Sequence, residues 1–400
     1  MVIRNKLTAL YLLVTASIGV LTPTLSALSF DGSSDHCLNL YSQILRKIPQ
    51  SLPNDPSLIA LKTLYGDRIE IEQRNEGPWI YLRAEDKTRD ISKIKELGIG
   101  TYNVLNLLEP GGKIPPPTEG KLSEQGKILL DEKNDIQLGQ EVESLHAAQL
   151  LNRDHLEDSY RPILIRGNNR LETHIALFLK KDLPFDVEVQ SHRQLQAEYL
   201  GRNLPIFNQD LPVILFRPKG AQKTDRPFLI LMAQHLKSKR NTPGDSLSEL
   251  RRQMQIKKSI EIQEKLEAQY PGIPILSAGD FNGDLISDST FEPLWKRAQL
   301  KDSFDLATKS VRKKHRVTHT YHPGENALVK SQLDGVLVSR AGQIPDLIKK
   351  ARIVSYRDTY GRKKALPQNI RERDQNPSDH FMISTRWDFK KLLENYVRSR

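Results

Sequence analysis

Phe228-Leu229-Ile230-Leu231-Met232-Ala233 and Ile273-Pro274-Ile275-Leu276-Ser277 are two apolar runs that decide the fold. Each is too short for a helix and is bounded by polar or turn residues, which is the pattern of a buried strand. Between them lies one long helix. Ser246 and Glu249 are spaced as a capping box, Leu247, Leu250 and Met254 follow at helical spacing, and Tyr270-Pro271-Gly272 stops it. A strand–helix–strand unit carries the chain from the end of one strand to the start of the next. The polar residues after each run therefore meet at one rim: Gln234-His235-Leu236-Lys237-Ser238 after the first, Gly279-Asp280-Phe281-Asn282-Gly283 after the second.

The same alternation of short apolar runs and amphipathic helices extends both ways from this unit, and it predicts an α/β, layered architecture rather than repeats. Strands are predicted at residues 100–105, 174–179, 335–339 and 381–384, with strand-like Ile69-Glu70-Ile71 and Trp79-Ile80-Tyr81-Leu82 upstream. Residues 30–97 also hold a short helical pattern (Leu38, Tyr41, Ile44, Leu45) and a break at Pro49, Pro53 and Pro56. They carry no chemical motif and read as an N-terminal accessory segment before a catalytic domain at 98–390 and a tail at 391–400. The Gly- and Pro-rich stretch 109–120 reads as a surface loop beside the site.

The chain has 400 residues, 38% of them hydrophobic, and a mean hydropathy of -0.52. These values exclude a disordered chain and a polytopic membrane protein. Residues 1–29 read as a signal peptide: Arg4 and Lys6 form a basic start, an apolar core follows, and Ala27-Leu28-Ser29 supplies small residues for cleavage. An exported protein, periplasmic or secreted, with no stable membrane span after cleavage, is the expectation; Pro23 and the Ser and Thr residues around it argue against an uncleaved anchor. Cys37 is the only cysteine, so an intramolecular disulfide is excluded. With 60 basic and 49 acidic residues the net charge is +11, or +9 without Arg4 and Lys6. That balance favours polyanionic partners such as nucleic acid, anionic lipid or cell-wall polymers.

Polar residues at other strand ends continue the pattern: Thr101-Tyr102-Asn103-Val104-Leu105-Asn106, Gln140-Glu141, Gln332-Leu333-Asp334-Gly335 and Ser378-Asp379-His380. Taken singly, each has an ordinary structural reading: an Asx-turn at Asp280, a first-turn helix carboxylate at Glu141, a cap at Asp379, a satisfied core histidine at His235. An EF-hand loop starting at Asp280 is excluded, because Leu285 and Phe291 occupy the positions that require Gly and Glu. His315, His319 and His322 follow the basic run Arg312-Lys313-Lys314 and read as a strand beside a substrate groove rather than a zinc cluster.

Taken together, the order Asn, Glu, His, Asp-x-Asn, Asp, Ser-Asp-His at strand edges resembles the endonuclease/exonuclease/phosphatase superfamily. The most specific pieces are Gly279-Asp280-Phe281-Asn282 and Ser378-Asp379-His380; Thr101 to Leu107 and Asp182-Leu183-Pro184-Phe185-Asp186-Val187 are similar to the bacterial secreted members. Gln234 stands where Asn is commoner in that family, and Asn169 of Gly167-Asn168-Asn169-Arg170 stands where Asp is usual. The resemblance implies two mixed β-sheets packed face to face and flanked by helices. It implies a hard divalent cation, Mg²⁺ (or Mn²⁺ or Ca²⁺), on Glu141 with Asn103 and Asp379 beside it. His235, Asp280, Asn282, Asp334 and His380 become the catalytic set, with Asp334 orienting His380 and with Asp280 serving either the attacking water or the leaving group. Asn168, Arg170, Lys237 and Tyr321 are expected at the substrate, Tyr321 by stacking.

Metal-assisted hydrolysis of a nucleic-acid phosphodiester ranks first among the functions this pattern allows. A phospholipid (sphingomyelinase-like) or inositol-phosphate phosphoesterase ranks second, since one catalytic set serves both substrates. A non-catalytic nucleic-acid-binding protein ranks last, because the whole set of polar groups is present.

Overall fold

The computed structural model describes residues 55–109, 116–169, 171–324, 327–357 and 361–398. Two large mixed sheets dominate it. In spatial order the eight-stranded sheet consists of Ile69–Arg74, Gly77–Leu82, Phe185–Gln190, Val213–Pro218, Leu229–His235, Ile275–Asp280, Asp334–Val338 and Lys301–Asp302. The six-stranded sheet runs Ile348–Val354, Met382–Asp388, Glu96–Leu107, Ile136–Val142, His174–Lys180 and Tyr160–Ile165. Buried residues from both inner faces, among them Ile99, Leu138, Leu177, Ile230, Leu276 and Val336, form one continuous core. This is the face-to-face α/β layering that the sequence implies.

Each sheet contains one parallel pair: Leu229–His235 with Ile275–Asp280 in the larger, Glu96–Leu107 with Ile136–Val142 in the smaller. Parallel strands need a crossover, and helices Glu249–Gln269 and Glu119–Glu132 supply the two. Leu229–His235 and Ile275–Asp280 are buried at every residue, which explains why they read as unbroken apolar runs. Both strands extend further than expected. Gln234 pairs with Gly279 and His235 with Asp280, so the polar residues are the last rungs of the ladder rather than the start of loops.

The cap of the long helix differs from the capping box read in the sequence. Leu247 stands at φ 53 inside the Ser246–Ser248 turn, and the helix proper begins at Glu249. Asp245 caps it instead, its carboxylate accepting from the backbone N–H of Leu250 at 3.0 Å and of Arg251 at 3.1 Å. Leu247 and Leu250 are exposed, and the buried face consists of Arg252, Gln255, Ile256, Ser259, Ile260, Ile262, Gln263 and Leu266.

Upstream, the two strand-like stretches are the strands Ile69–Arg74 and Gly77–Leu82, which pair as a hairpin and join the larger sheet beside Phe185–Gln190. The proposed leader, Cys37 and the helical pattern at 38–45 lie outside the described residues, as do 110–115 of the expected loop, which ends at Thr118, the N-cap of Glu119–Glu132. At the other end, helix Phe389–Arg398 buries Phe389, Leu392 and Tyr396. No helix among the described residues is long and apolar enough to cross a membrane.

Gly279 pairs with Gln234 on the neighbouring parallel strand and leaves no room for a side chain. Its φ is +145°, and a Cβ there would lie 1.9 Å from the carbonyl oxygen of Gln234. Gly279→Ala is expected to destabilise the protein by roughly 3 kcal/mol or more, through backbone strain and forced separation of the ladder. Denaturant unfolding checks this; an unchanged midpoint would contradict the close approach.

Candidate active site

The two parallel pairs end at the same place. Across the larger sheet, His235 pairs with Asp280 and Asp280 with Asp334, which sets three polar side chains side by side at one sheet end. From the smaller sheet come Asn103 and Glu141. Here the ladder is irregular: its register shifts after Asn103 and after Gln140, and Leu105, Asn106 and Glu141 have φ of 51°, 57° and 65°. A bulge of this kind re-aims a side chain. Gln140 stays in the sheet, with its amide donating to Thr101 Oγ1 at 3.0 Å, while Glu141 reaches the site.

Asn103 joins the sheets. Its Nδ2 donates to Glu141 Oε1 at 3.2 Å and to Asp280 Oδ2 at 3.2 Å, and its Oδ1 accepts from the N–H of Leu105 at 3.0 Å. Glu141 also accepts from the N–H of Asn106 at 3.2 Å. Asn282 closes the turn after Asp280: its N–H donates to Asp280 Oδ1 at 2.8 Å, and its amide donates to Leu236 O at 2.8 Å.

The Ser378-Asp379-His380 segment locks onto this floor. Ser378 Oγ donates to the carbonyl of Asn103 at 2.6 Å and accepts from the N–H of His380 at 3.0 Å. Beneath it, the Tyr356 hydroxyl donates to the carbonyl of Ser378 at 2.9 Å and also contacts that of His380. His380 Nδ1 lies 2.8 Å from Asp334 Oδ2, so Nδ1 carries its proton toward that carboxylate and Nε2 faces the site. Nε2 is 3.9 Å from both Asp280 Oδ2 and Asp379 Oδ1, and His235 Nε2 is 3.7 Å from Asp280 Oδ2.

Electrostatics separates the two imidazoles. Burial drives His235 down to about 3, aided by the charge of His380, so His235 is neutral. Burial also opposes charge on His380, but the carboxylates of Asp334 and Asp280 outweigh it and push His380 up to about 10. Burial raises Asp280 to about 7 against the pull of His380. Glu141 is raised by burial and then by the charge of Asp379. Asp379 is itself lowered, because His380, His319 and Arg373 together outweigh its burial.

These groups fit a hard divalent cation. Glu141, half-buried, and Asp379, buried, are carboxylates that repel each other, and a cation relieves that repulsion. Asn103 offers Nδ2 to Glu141 as it stands, and a half-turn of its amide would present Oδ1 instead. His235 Nδ1 and Asp334 Oδ1 are buried with no hydrogen-bond partner among the described residues, so the cluster keeps polar capacity for a ligand.

The eight expected site residues Asn103, Glu141, His235, Asp280, Asn282, Asp334, Asp379 and His380 thus converge. The expected substrate contacts do not all join them. Asn168 donates from Nδ2 to the carbonyls of Phe207, at 3.0 Å, and Arg193, so its amide ties two loops together. Arg170 lies outside the described residues. Lys237, half-buried, follows His235 and contacts Ser238 Oγ at 3.4 Å. Tyr321 is 58% exposed on strand His319–Gly324.

Two further residues meet Asp379: His319, which the sequence placed on a strand beside the groove, and Arg373, which it did not mark. His319 opens that strand, pairs with His380 in an isolated bridge, and holds its ring 4.6 Å from the His380 ring. Its Nε2 is 3.9 Å from Asp379 Oδ2. The strand assignment was legible, but the contact was not. Arg373, on helix Ile370–Gln375, donates from Nε to Asp379 Oδ2 at 2.8 Å, and nothing in its local sequence marks it. His315 is exposed, and the His322 side chain lies outside the described residues. Arg316, part of the basic run, is buried against Asp305 and the carbonyl of Val311 rather than offered to a groove.

No family model and no curated protein matches the chain. Solved structures do align with it. TDP2 of D. rerio, complexed with single strand DNA product, covers 73% of this chain and 99% of its own at 16% identity, with a TM-score of 0.48. The human nocturnin catalytic domain with bound sulfate anion covers 76% and 96% at 14% identity, with a TM-score of 0.47. An endonuclease/exonuclease/phosphatase family protein from Bacteroides thetaiotaomicron covers 73% and 97% at 17% identity, with a TM-score of 0.45. These are likenesses of fold, at identities too low to carry over a substrate.

The raised His380 has a measurable consequence in protein kept cation-free with chelator. A histidine whose folded pKa lies above its unfolded value of about 6.5 contributes stability that is fully present below pH 6.5. That contribution is lost as the pH rises toward about 10. In Asp334→Asn, His380 is expected to titrate near the ordinary imidazole value and the alkaline loss of stability to shrink. NMR titration of the imidazole with urea unfolding between pH 6 and 10 checks both, and an unmoved His380 titration would refute the role given to Asp334.

Proposed function

We propose that the chain is an exported, divalent-cation-dependent phosphodiesterase that hydrolyses nucleic acid by in-line attack of water. The observation that carries this reading is the Asn103 amide joining Glu141 of one sheet to Asp280 of the other, with His380 held between Asp334 and Asp280.

Glu141 and Asp379, with Asn103 after an amide turn, would hold Mg²⁺ or Mn²⁺. A divalent cation bound there neutralises charge on the non-bridging phosphate oxygens. The chain's own groups do the rest. His380, charged and fixed through Nδ1, directs an Nε2 donor at a phosphate oxygen. His235, neutral, adds a second donor from the neighbouring strand. Asp280, raised to about 7, is matched to proton transfer near neutral pH and takes the proton of the attacking water at Oδ2. Asn282 orients Asp280 through its N–H.

Nucleic acid is favoured as substrate by the net charge, +9 once Arg4 and Lys6 leave with the leader, and by the exposed Tyr321, two residues along the strand from His319. Export rests on the basic start and apolar core of residues 1–29, and N-terminal sequencing of the secreted protein tests it.

The decisive assay offers plasmid DNA, RNA, sphingomyelin and an inositol polyphosphate to the mature protein with Mg²⁺ or Mn²⁺, with chelator, and to His380→Ala. Chelator-sensitive cutting of nucleic acid is expected, with kcat falling about 10²- to 10⁴-fold in the variant. Turnover of the lipid or inositol phosphate alone would overturn the substrate, and silence on all four would overturn the enzyme.

A calorimetric companion needs no turnover. Mg²⁺ or Mn²⁺ should raise the melting temperature of the wild type and raise that of Glu141→Gln less. Equal shifts in the two proteins would remove Glu141 from the cation site.

A further inference from the structure

His319 and Arg373 come from different elements and converge on one carboxylate. His319 Nε2 lies 3.9 Å from Asp379 Oδ2, and Arg373 Nε lies 2.8 Å from the same oxygen. His319 reaches Asp379 from the hairpin strand His319–Gly324 and Arg373 from helix Ile370–Gln375. His319 is placed firmly: its backbone pairs with His380, its ring lies against the His380 ring, and the N–H of Phe381 donates to the carbonyl of Thr318 at 2.7 Å. Arg373 keeps 42% of its side chain exposed, and its two Nη groups have no hydrogen-bond partner among the described residues. A guanidinium that spends one N–H on a carboxylate and turns the remaining fork to solvent is suited to bidentate capture of an anionic oxygen pair.

The hairpin extends this surface. Along a regular strand, residues two apart share a face, so Tyr321 stands on the side of His319. Thr320, between them, faces inward and donates to the carbonyl of Pro367 at 2.6 Å. Tyr321 pairs across the hairpin with Val329, and both are exposed, at 58% and 46%. A guanidinium and an imidazole beside the reacting centre and a flat aromatic surface one step further out are components that track single-stranded nucleic acid.

We propose that His319 and Arg373 clamp a second phosphate, the one adjoining the scissile phosphate of a single-stranded nucleic acid, with Tyr321 stacking the base beyond it. The clamp rests on the phosphodiesterase reading given above. It makes the site selective for a chain of phosphates over an isolated phosphodiester, and both residues act on binding rather than on the reacting bond.

The test compares KM and kcat of the wild type, Arg373→Gln and Arg373→Lys on three substrates: a short single-stranded oligonucleotide, the same oligonucleotide with one neighbouring phosphate replaced by an uncharged methylphosphonate, and bis(p-nitrophenyl) phosphate. Binding of the intact and methylphosphonate oligonucleotides in chelator, read by fluorescence anisotropy, supplies a measurement without turnover. Loss of a charge-assisted hydrogen bond corresponds to about a ten- to one-hundred-fold rise in KM. Arg373→Gln should show it on the intact oligonucleotide, with partial recovery in Arg373→Lys. The methylphosphonate should weaken the wild type to a similar extent and add little to the variant. Equal losses on all three substrates would mean that Arg373 serves only to hold Asp379, and would overturn the clamp while leaving the phosphodiesterase standing. Turnover of bis(p-nitrophenyl) phosphate with no oligonucleotide cut or bound would overturn the nucleic-acid reading itself.

Discussion

The Asn103 amide spans the gap between the two sheets, and the rest of the site depends on it. Glu141, half-buried, and Asp280, buried, approach from opposite sheets, and the same amide donates to both. A buried carboxylate is tolerable only when hydrogen-bonded or paired, and one amide donating to both meets that requirement without adding charge. Asn103 is in turn fixed by Ser378, whose hydroxyl bonds its carbonyl and so ties the Ser378-Asp379-His380 segment to the same point. Sheet packing, carboxylate placement and the position of His380 are therefore one problem with one shared solution.

Backbone geometry explains why the polar residues gather there. Each sheet has a single parallel pair, and the carboxyl ends of both pairs face the same rim. Ligand sites in open α/β sheets form outside the carboxyl ends of parallel strands, where neighbouring crossovers leave the rim uncovered. Here two such rims coincide. The strain of the site is local to them: Leu105, Asn106, Glu141 and Asn282 all have positive φ, and all follow the last regular rungs of their strands. Each such residue costs on the order of 1 kcal/mol, and the paired strands behind them hold the geometry.

The central strands were legible because their burial on both faces leaves an unbroken apolar run that ends abruptly in polar residues. The ordered series from Asn103 to His380 was legible for the same reason, since each member sits at such an ending. Helix Glu249–Gln269 shows where local pattern fails. Both Asp245 and Ser246 are capping residue types, and a long-range contact decides between them: the Tyr199 hydroxyl donates to Asp245 at 2.9 Å. Its buried face is largely polar because Gln255 serves other backbones, accepting from the N–H of Lys237 and donating to the carbonyl of Ile206. Leu247 and Leu250, apolar but on the outward turn, misled the pattern. Arg373 and the contact of His319 with Asp379 were invisible for a related reason, since only the tertiary fold brings them together.

The two site histidines show how one fold can hold the same side chain in opposite charge states a few ångströms apart. His235 and His380 are both buried and both adjoin Asp280, and they differ in their carboxylate neighbours. His380 has Asp334 on its Nδ1, whereas His235 Nδ1 faces no partner among the described residues. Asp334, with Asp280 and Asp379 behind it, makes one imidazole a cation, while burial leaves the other a neutral donor, the separation of roles that acid–base sites require. Asp334 in turn is held at its backbone by Thr318, whose hydroxyl accepts from the N–H of Leu333 at 3.0 Å and of Asp334 at 3.1 Å. Thr318 immediately precedes His319. The residue that steadies the partner of His380 and the residue whose tilted ring lies against its own are thus consecutive in the chain, so any shift of this hairpin strand moves the charge and the orientation of His380 together.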